Sequence, residues 1–317
     1  MWQNASGYRG EVRYRSFLAD SARWDGFALR PGDIVISTPP KCGTTWTQMI
    51  CALLIFQTPE LDRPLDLISP WLEMLTRPRA DVVADLDAQT HRRFIKSHTP
   101  LDGLPAGDGI TYVCVGRDPR DAGPSMGHHI ANLDPAAFGA AWAATVEADG
   151  LTNISPPSLE GFPGPGREHL QGWIDDTTPV ETGPNSLAGT LHHLATFWAA
   201  RHRHDVVLLH YDDLQADLEG EMRRLADRLG IEVPDARWPA LARAATFGEM
   251  RRRADVVVPD ANERLWKSNA EFFRRGTSGQ WREVFDAELL ARYEARVAEL
   301  APPDLAAWVH AGAPLPP

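Results

Sequence analysis

The sequence has few cysteines, no long apolar run and no excess of basic charge. Its three cysteines, Cys42, Cys51 and Cys114, form no CxxC pair and leave an odd count, which argues against a disulfide framework and favours a reducing, cytoplasmic location. The longest apolar stretch, residues 49–56, is too short to span a bilayer, and the N-terminus lacks a signal-peptide pattern. We therefore expect no integral membrane segment.

Acidic side chains outnumber basic ones by 43 to 32, and the formal net charge is −11. A general nucleic-acid binder needs a basic face to offset phosphates, so this balance predicts no nucleic-acid partner. It still permits one small anionic ligand, provided that a few basic residues gather locally. With 317 residues, 43% of them hydrophobic, the chain is long enough to bury a large core.

The chain alternates between short strand-like apolar runs and longer helix-like amphipathic ones. The predicted strands are residues 33–37, 93–96, 110–115 and 205–210. The predicted helices are residues 44–57, 121–132, 135–147, 186–203, 218–229, 238–245 and 286–300. Strands separated by helices need crossover connections, which predicts an α/β fold with a mainly parallel central sheet flanked by helices on both faces. Ligands of such sheets bind at the carboxyl ends of the strands.

Residues 150–185 interrupt this alternation, because they are rich in proline and glycine. Nothing else in the chain has the composition of a linker, so we expect residues 1–317 to form a single domain with a core of about residues 30–300. The 150–185 segment is predicted to be a long loop, which is either a lid or binding loop over a ligand site or a mobile surface excursion.

Residues 38–46, TPPKCGTTW, follow the first predicted strand and begin the first long helix. Free N–H groups at a helix start, together with Lys41, Thr44 and Thr45, form a natural cradle for phosphate-like anions. The Walker pattern GxxxxGK[ST] is absent, because Lys41 precedes Gly43. On the local pattern alone, an ordinary strand–helix turn remains an alternative.

The PKCGTTW segment resembles the loop of the cytosolic-type sulfotransferases, which usually reads PKSGTTW and grips the 5′-phosphosulfate of 3′-phosphoadenylyl sulfate (PAPS). The resemblance implies a P-loop-like sulfotransferase fold, PAPS as donor, 3′,5′-diphosphoadenosine (PAP) as product, and no metal. It implies that Lys41 reaches the bridging oxygen, that Thr44 and Thr45 bind the 5′-phosphate, and that the Trp46 ring stacks on adenine. Trp46 could equally be a core residue.

Cys42 stands where the family usually has serine, so one hydroxyl contact is missing there. The resemblance still leaves a backbone cradle at Cys42 and Gly43. Because a helix start lowers the pKa of a cysteine, Cys42 is also a candidate reactive thiol.

Residues 115–125, VGRDPRDAGPS, follow the strongest predicted strand and resemble the family's 3′-phosphate segment. The resemblance implies that Arg117 and Ser125 bind that phosphate through a guanidinium fork and a hydroxyl. Taken alone, Arg117 could instead be the ion-pair partner of Asp118 or Asp121.

Residues 274–282, RRGTSGQWR, resemble the family's RKGxxGxWK signature, which implies phosphate contacts from Arg274, Arg275 and Gly276. The alternative is a basic surface loop.

Two further segments resemble the residues that meet the adenine in this family. They are Tyr211, after the 205–210 strand, and Thr246 with Phe247, in a segment similar to SFxxM. Alone, each of these segments could be core or loop.

Residues 94–100, FIKSHTP, resemble the family's KxH segment. His98 is the candidate general base, since an imidazole can accept the hydroxyl proton of the acceptor near neutral pH. Lys41 would stabilise charge on the leaving phosphate oxygen, and Lys96 would neutralise the sulfuryl oxygens. The resemblance further implies that Ser125 holds Lys41 away until an acceptor arrives.

The acceptor is expected to be a small molecule or a glycolipid that offers a hydroxyl, such as a phenol, a steroid-like alcohol or an amphiphile. Five side chains could line its pocket or equally belong to the core: Trp71, Met74, Met126, Phe162 and Trp173. Paired histidines such as those at 128–129 lack ligand spacing, so no metal site is expected. A homodimer stays open, although the family's usual KxxxTVxxxE motif is missing after Trp281.

Two other functions compete with sulfuryl transfer. A nucleotide-dependent phosphotransferase or kinase could use a similar sheet, but it would need the Walker-type loop that is missing here. A nucleotide-binding scaffold without catalysis would bind the nucleotide and sulfate no acceptor.

Overall fold

A parallel sheet lies at the centre of the protein. The computed structural model describes residues 10–156, 164–258 and 265–312. In them, the four strands pair in the order β2–β1–β3–β4, and every pairing is parallel. The strands are β1 Ile34–Ser37, β2 Phe94–Ser97, β3 Thr111–Gly116 and β4 Val206–His210. The predicted strands are thus confirmed, with their ends displaced by one residue at most.

Helices connect and flank the strands. They are α1 Thr44–Phe56, α2 Leu65–Ile68, α3 Arg79–Ala88, α4 Pro119–Ala131, α5 Pro135–Ala148, α6 Arg167–Asp175, α7 Leu187–Ala199, α8 Tyr211–Ala216, α9 Leu218–Leu229, α10 Trp238–Ala244, α11 Phe247–Arg252, α12 Ala254–Val257, α13 Asn269–Phe272, α14 Ala287–Leu300 and α15 Pro303–Ala311. All seven predicted helices are present, and the largest difference is four residues, at the end of α7.

Side chains alternate between the two faces of the sheet, as strand geometry requires. Ile34 and Ile36 pack into one apolar cluster with α1, α9 and α10, while Val35 packs into a second cluster with α3, α7, α14 and α15. Both faces are therefore covered, which confirms the predicted class of α/β fold.

The strand register brings the site segments together. Ser37 of β1 lies opposite Ser97 of β2, and Gly116 of β3 lies opposite His210 of β4. One residue beyond the first pair come Thr38 and His98, and one residue beyond the second come Arg117 and Tyr211. Because the strands are parallel, all of these residues follow strand ends at one edge of the sheet.

Eight of the fifteen helices among the described residues were not predicted, and three of these, α3, α6 and α15, have nine residues or more. α6 lies inside the segment 150–185, where a long loop was expected, and buries His169, Leu170, Trp173 and Ile174 on one face. That helical spacing is obscured in the sequence by the proline and glycine runs around it. α15 buries Leu305, Trp308 and Val309 at helical spacing after a proline start. α3 buries only Val82 and Leu86, which makes its periodicity weak.

An ion pair between Arg93 and Asp33 joins the starts of β1 and β2. Arg93 Nε donates to Asp33 Oδ1 at 2.9 Å, and Nη2 donates to Oδ2. The side chains of Arg93 and Asp33 are 1% and 2% exposed, so each charge is buried and is compensated by the other. Arg93 Nη2 also donates to the Ala28 carbonyl at 2.8 Å.

Replacing Arg93 with alanine should leave the Asp33 carboxylate buried without its ion-pair partner. We expect Arg93→Ala to lower the free energy of unfolding by about 3–5 kcal/mol, the usual cost of an uncompensated buried charge. Urea denaturation measures this loss. The double variant Asp33→Leu/Arg93→Met should recover much of it, and Arg296→Ala, which breaks the exposed pair with Glu299, is the control. A loss no larger than that of the control would show that the buried pair contributes little.

Candidate active site

One cavity of about 550 Å³ at this sheet edge contains nearly all of the predicted site residues. Cys42 and Thr246 are the two exceptions. The predicted residues that line the cavity are Lys41, Gly43, Thr44, Thr45, Trp46, Lys96, His98, Arg117, Ser125, Tyr211, Phe247, Arg274, Arg275 and Gly276. Segments that are far apart in the chain therefore meet in one site.

The loop before α1 presents backbone N–H groups to the cavity. Gly43 precedes the helix with a φ of +103°, and no side chain caps α1. The first N–H groups of a helix have no partners within it, so an uncapped start can bind an anion. A Cβ at Gly43 would lie 3.2 Å from the Tyr211 ring, which favours glycine at this position. Lys41 also has a positive φ, 67°, a strained conformation for a lysine.

The Lys41 side chain crosses the cavity towards α4. Its Nζ lies 3.2 Å from Nδ1 of His129 and 4.9 Å from the centre of the Phe272 ring. Burial, and then the positive charges of Arg117 and Lys96, lower the pKa of Lys41 to about 7. Among the described residues, the hydrogen bond of Nζ is with His129 rather than with Ser125, which lies one helical turn earlier.

Arg117 is buried at the end of β3 and faces the same loop. Its Nη1 donates to the Lys41 carbonyl at 2.8 Å and its Nη2 to the Thr277 carbonyl at 3.3 Å, while the guanidinium lies 4.1 Å from the Tyr211 ring centre. Nε is buried and has no hydrogen-bond partner in the part of the chain that the structure describes. The ion pair of Asp118 is instead with Arg120, at 2.7 Å.

A glycine-containing loop, residues 274–282, closes the cavity from the other side. The buried carboxylate of Asp121 accepts from the backbone N–H groups of Gly279 at 2.6 Å and Trp281 at 3.0 Å, so α4 holds this loop in place. Burial raises the pKa of Asp121, and these two N–H bonds act in the opposite direction. Gly276 has a φ of +64°, and a Cβ there would overlap the Phe247 ring.

The two arginines of this loop differ in their surroundings. Arg274 Nη2 donates to Gln280 Oε1 at 2.5 Å beside the cavity. Arg275 forms a 2.7 Å pair with Glu283, in which both side chains are exposed. Arg274 is therefore half-buried, whereas Arg275 is exposed.

Three aromatic rings form one wall of the cavity. Trp46 packs edge-on against Tyr211, with ring centres 5.2 Å apart, and its Nε1 donates to the Ala245 carbonyl at 2.8 Å. Phe247 completes this wall. Trp46 also packs against the core, so it is a core residue and a cavity residue at once. Thr246 lies outside the lining, because its hydroxyl caps α11 through the Glu249 N–H.

His98 follows β2 and is held by the loop after β1. Its Nδ1 lies 2.7 Å from the Thr38 carbonyl, and its ring packs edge-on against Trp71 at 4.6 Å. A carbonyl only accepts hydrogen bonds, so Nδ1 carries the proton and Nε2 is the ring's acceptor. Burial, and then the charge of Lys96, place the pKa of His98 well below 6.5. The imidazole is therefore neutral at neutral pH and has one nitrogen available for a proton.

Glu73 anchors the backbone on both sides of His98. Its Oε1 accepts from Trp24 Nε1 at 2.7 Å, from the Thr99 hydroxyl at 3.0 Å and from the Ser97 hydroxyl. Glu73 is fully buried, and burial raises the pKa of its carboxyl group. This network fixes the turn that carries His98.

Beyond His98 the cavity becomes apolar. Lys96 lies 4.5 Å from the Trp71 ring centre, at the boundary between the charged and apolar halves. The apolar half is defined by five lining residues that share one apolar cluster, Leu18, Trp71, Met74, Leu133 and Phe138, and further apolar lining residues are Phe17, Met126, Ile130 and Trp266. Trp173, a candidate for this pocket, instead packs in the core of the opposite face. Phe162, another candidate, lies outside the described residues.

Cys42 is not a reactive thiol in this structure. Its side chain is fully buried beneath the loop, and its backbone N–H donates to the Pro39 carbonyl at 3.2 Å. Burial raises the pKa of the thiol to about 12, so the expected effect of the helix start is outweighed by desolvation.

Several cavity residues were not predicted as site residues. The partner of Lys41, His129, comes four residues after Ser125, and i, i+4 spacing places both on one face of α4. That spacing was the available signal for His129. The rings of Trp266 and Phe272 pack beside it, at 4.6 Å and 5.5 Å.

Comparison with known proteins places the chain in a family. The sulfotransferase domain family matches residues 31–301. The chain belongs to that family and is a sulfotransferase, which confirms the expectation from its motifs. It is 45% identical over 311 residues to a glycolipid sulfotransferase of Mycobacterium bovis (strain BCG / Pasteur 1173P2), covering 95% of this chain and 94% of that protein. It is 23% identical over 283 residues to sulfotransferase 1A1 of Rattus norvegicus, covering 86% of each.

Solved structures share the fold. Retinol dehydratase in complex with androsterone and the inactive cofactor PAP matches with a TM-score of 0.64 and 22% identity, covering 86% of this chain and 81% of that one. Mouse sulfotransferase SULT7A1 complexed with PAP matches with a TM-score of 0.62 and 18% identity, covering 89% and 88%. Within the described ranges of our chain, no helix is long and apolar enough to cross a membrane, and no three His, Cys, Asp or Glu side chains group to hold a metal.

Proposed function

We propose that this sulfotransferase uses PAPS as its donor and transfers the sulfuryl group to a hydroxyl of an amphiphilic acceptor. The single observation that carries this proposal is the division of one cavity. Its charged half contains Lys41, Arg117 and the uncapped start of α1, and its apolar half begins at a neutral His98. A cofactor with two phosphate groups fits the first half, and an apolar acceptor fits the second.

The charged half has the properties of a site for a polyanion. The buried Nε of Arg117 has no partner among the described residues, although buried polar atoms are normally paired. The pKa of Lys41 is lowered to about 7 by burial and by neighbouring cations, and a bound anion would reverse part of that effect. Gly43 and Gly276 occupy positions where any side chain would meet an aromatic ring. These residues fit PAPS, and the PAP complexes of the structural neighbours are consistent with that choice.

The residue roles follow from this arrangement. Lys41, Thr44, Thr45 and the start of α1 would hold the 5′-phosphosulfate, and Arg117 with Ser125 would hold the 3′-phosphate. The residues of the 274–282 loop would add to this second site. Trp46, Tyr211 and Phe247 would bind the base between their rings. PAPS supplies the sulfuryl group, which forms a bond to the acceptor oxygen as its bond to the bridging phosphate oxygen breaks, leaving PAP.

His98 Nε2 would accept the proton of the acceptor hydroxyl during the transfer. Lys41 would donate to the oxygen that becomes negatively charged, and Lys96 lies at the boundary where the sulfuryl oxygens are expected. The Thr38 carbonyl keeps Nδ1 protonated and thereby keeps Nε2 available.

Loss of the Arg117 guanidinium should weaken cofactor binding. We expect Arg117→Ala to reduce the affinity for PAP by about 1.5–3 kcal/mol, about tenfold to 150-fold, the usual worth of a charge-assisted hydrogen bond. Isothermal titration calorimetry measures it. Arg120→Lys is the matched control, because Arg120 pairs with Asp118 and does not line the cavity. Unchanged PAP affinity in Arg117→Ala would overturn the 3′-phosphate assignment.

The apolar half of the cavity supports an acceptor with a hydrocarbon chain. Leu18, Leu133 and Phe138 line the cavity and belong to a separate apolar cluster that includes residues of α5. A hydrocarbon chain of the acceptor that packed against these side chains would gain about 0.8 kcal/mol for each methylene group that it buries. The relative from Mycobacterium bovis, at 45% identity, is named a glycolipid sulfotransferase. We therefore place an amphiphile with a sugar head group first among the acceptor classes.

A series of alkyl glucosides tests this choice, using methyl, hexyl and octyl chains below their micellar concentrations. We expect kcat/KM to increase from methyl to octyl, because the longer chain buries more apolar area. Leu133→Glu should weaken the dependence on chain length and leave PAP affinity unchanged, since Leu133 lies in the apolar half. A flat series with the wild-type enzyme would exclude the amphiphile.

Replacing the base should affect turnover and leave cofactor binding intact. We expect His98→Ala to lose about 10²–10⁴-fold in kcat with the best acceptor, and to bind PAP as the wild type does. His202→Ala, an exposed histidine outside the cavity, is the control. A wild-type rate in His98→Ala would mean that another group takes the proton.

The pH dependence follows from the same residue. Because the pKa of His98 is lowered, the neutral form persists down to pH values below 6.5, and protonation removes the acceptor nitrogen only under more acidic conditions. The acid limb of the wild-type rate should therefore be centred below pH 6.5, whereas loss of the Lys41 charge, whose pKa is about 7, would lower the rate as the pH rises towards 8. An acid limb centred above pH 7 would contradict this assignment.

A further inference from the structure

His129 lines the cavity and has no role in the proposed transfer. It lies near the end of α4, and its Nδ1 is 3.2 Å from Nζ of Lys41. When Lys41 is protonated, the form that a bound anion favours, its ammonium group only donates hydrogen bonds, so Nδ1 of His129 then accepts and the ring proton is on Nε2. Burial, and then the charge of Lys41, hold the pKa of His129 well below 6.5, which keeps the imidazole in this neutral, accepting form.

The His129 ring is itself held in place. Trp266 packs against it at 4.6 Å and Phe272 at 5.5 Å, and Phe272 also lies 4.9 Å from Lys41 Nζ. An acceptor whose ring is fixed by two aromatic neighbours can fix the direction of the bond it receives. By contrast, a lysine side chain has four rotatable bonds and no preferred direction of its own.

We propose that His129 is the positioning residue of Lys41: it accepts one N–H bond of the ammonium group and thereby orients the other two donors towards the phosphate loop. This inference rests on the proposed role of Lys41 in the transfer. It assigns His129 an effect on Lys41 alone, with no proton transfer of its own and no contact with the reacting atoms. A misplaced lysine would weaken the stabilisation of charge in the transition state more than it weakens binding.

Two substitutions separate the acceptor atom from the ring. His129→Phe retains a ring for Trp266 and Phe272 but has no acceptor, whereas His129→Asn loses the ring and places an amide oxygen near the position of Nδ1. We expect kcat to fall about tenfold to a hundredfold in His129→Phe, with PAP affinity changed less than threefold, and to be largely restored in His129→Asn. His128→Phe, one residue earlier and exposed, is the matched control and should behave as the wild type.

A double-mutant cycle with Lys41→Met decides whether the effect passes through the lysine. If His129 acts by positioning Lys41, His129→Phe should cause no further loss of kcat in the Lys41→Met background. Equal losses in both backgrounds, or a His129→Asn variant as slow as His129→Phe, would overturn the inference. If instead Lys41→Met alone leaves kcat unchanged, the proposed role of Lys41 is wrong. That outcome is distinguishable from one in which Lys41 acts as proposed but His129 does not position it. Thermal denaturation of each variant verifies that it is folded.

Discussion

The parallel register of β1 with its neighbours is the constraint on which the site depends. Each strand of a parallel sheet ends at the same edge, so the residue after every strand faces a common region. Here the pairing of Ser37 with Ser97 places His98 beside the loop after β1, and the Thr38 carbonyl then orients the imidazole. A shift of one residue in this pairing would turn every side chain of β2 to the opposite face and would break that bond.

The same edge concentrates positive charge in a protein whose net charge is −11. Lys41, Lys96 and Arg117 are close enough for the two other cations to lower the pKa of Lys41 after burial has done so. Such a cluster is unfavourable by itself, because like charges in a poorly solvated cavity repel. The fold maintains it through fixed contacts, among them the bond from Arg117 to the Lys41 carbonyl and the Asp121 bonds to the 274–282 loop. This local charge, rather than the net charge, would let an acidic protein accommodate the proposed polyanionic ligand.

Much of the fold could be predicted because its strands are short, apolar and bounded by turns. The sequence 205–210 contains four consecutive apolar residues, and β4 begins within one residue of the expected position. α9 was placed correctly at both ends, since its last residue precedes Gly230 in the left-handed conformation. α6 was missed because proline and glycine around it dominate the local pattern, although its own buried residues recur at helical spacing.

The candidate site was predictable where a role depends on a local segment, and not where it depends on tertiary packing. Lys41, Arg117 and His98 each follow a strand, and the structure brings all three to one cavity. Nothing near Glu73 in the sequence indicates that its carboxylate holds the turn of His98, because Ser97 and Thr99 reach it only in the folded chain. Cys42 shows the reverse error: its position at a helix start suggested a reactive thiol, and complete burial outweighs that position.

The cations of this site and the proposed base, His98, are coupled through one electrostatic field. After burial itself, Lys96 is the largest influence that lowers the pKa of His98, and Lys41 contributes as well. The charges that would attract the phosphates of the proposed donor therefore also keep the imidazole unprotonated, which is the form a general base requires. An anion held between Lys41 and Arg117 would offset those charges and move the pKa of His98 back towards 6.5, where an imidazole accepts a proton more readily. Filling the charged half of the cavity would in this way strengthen the base in the other half, and the two halves would be coupled without any movement of the backbone.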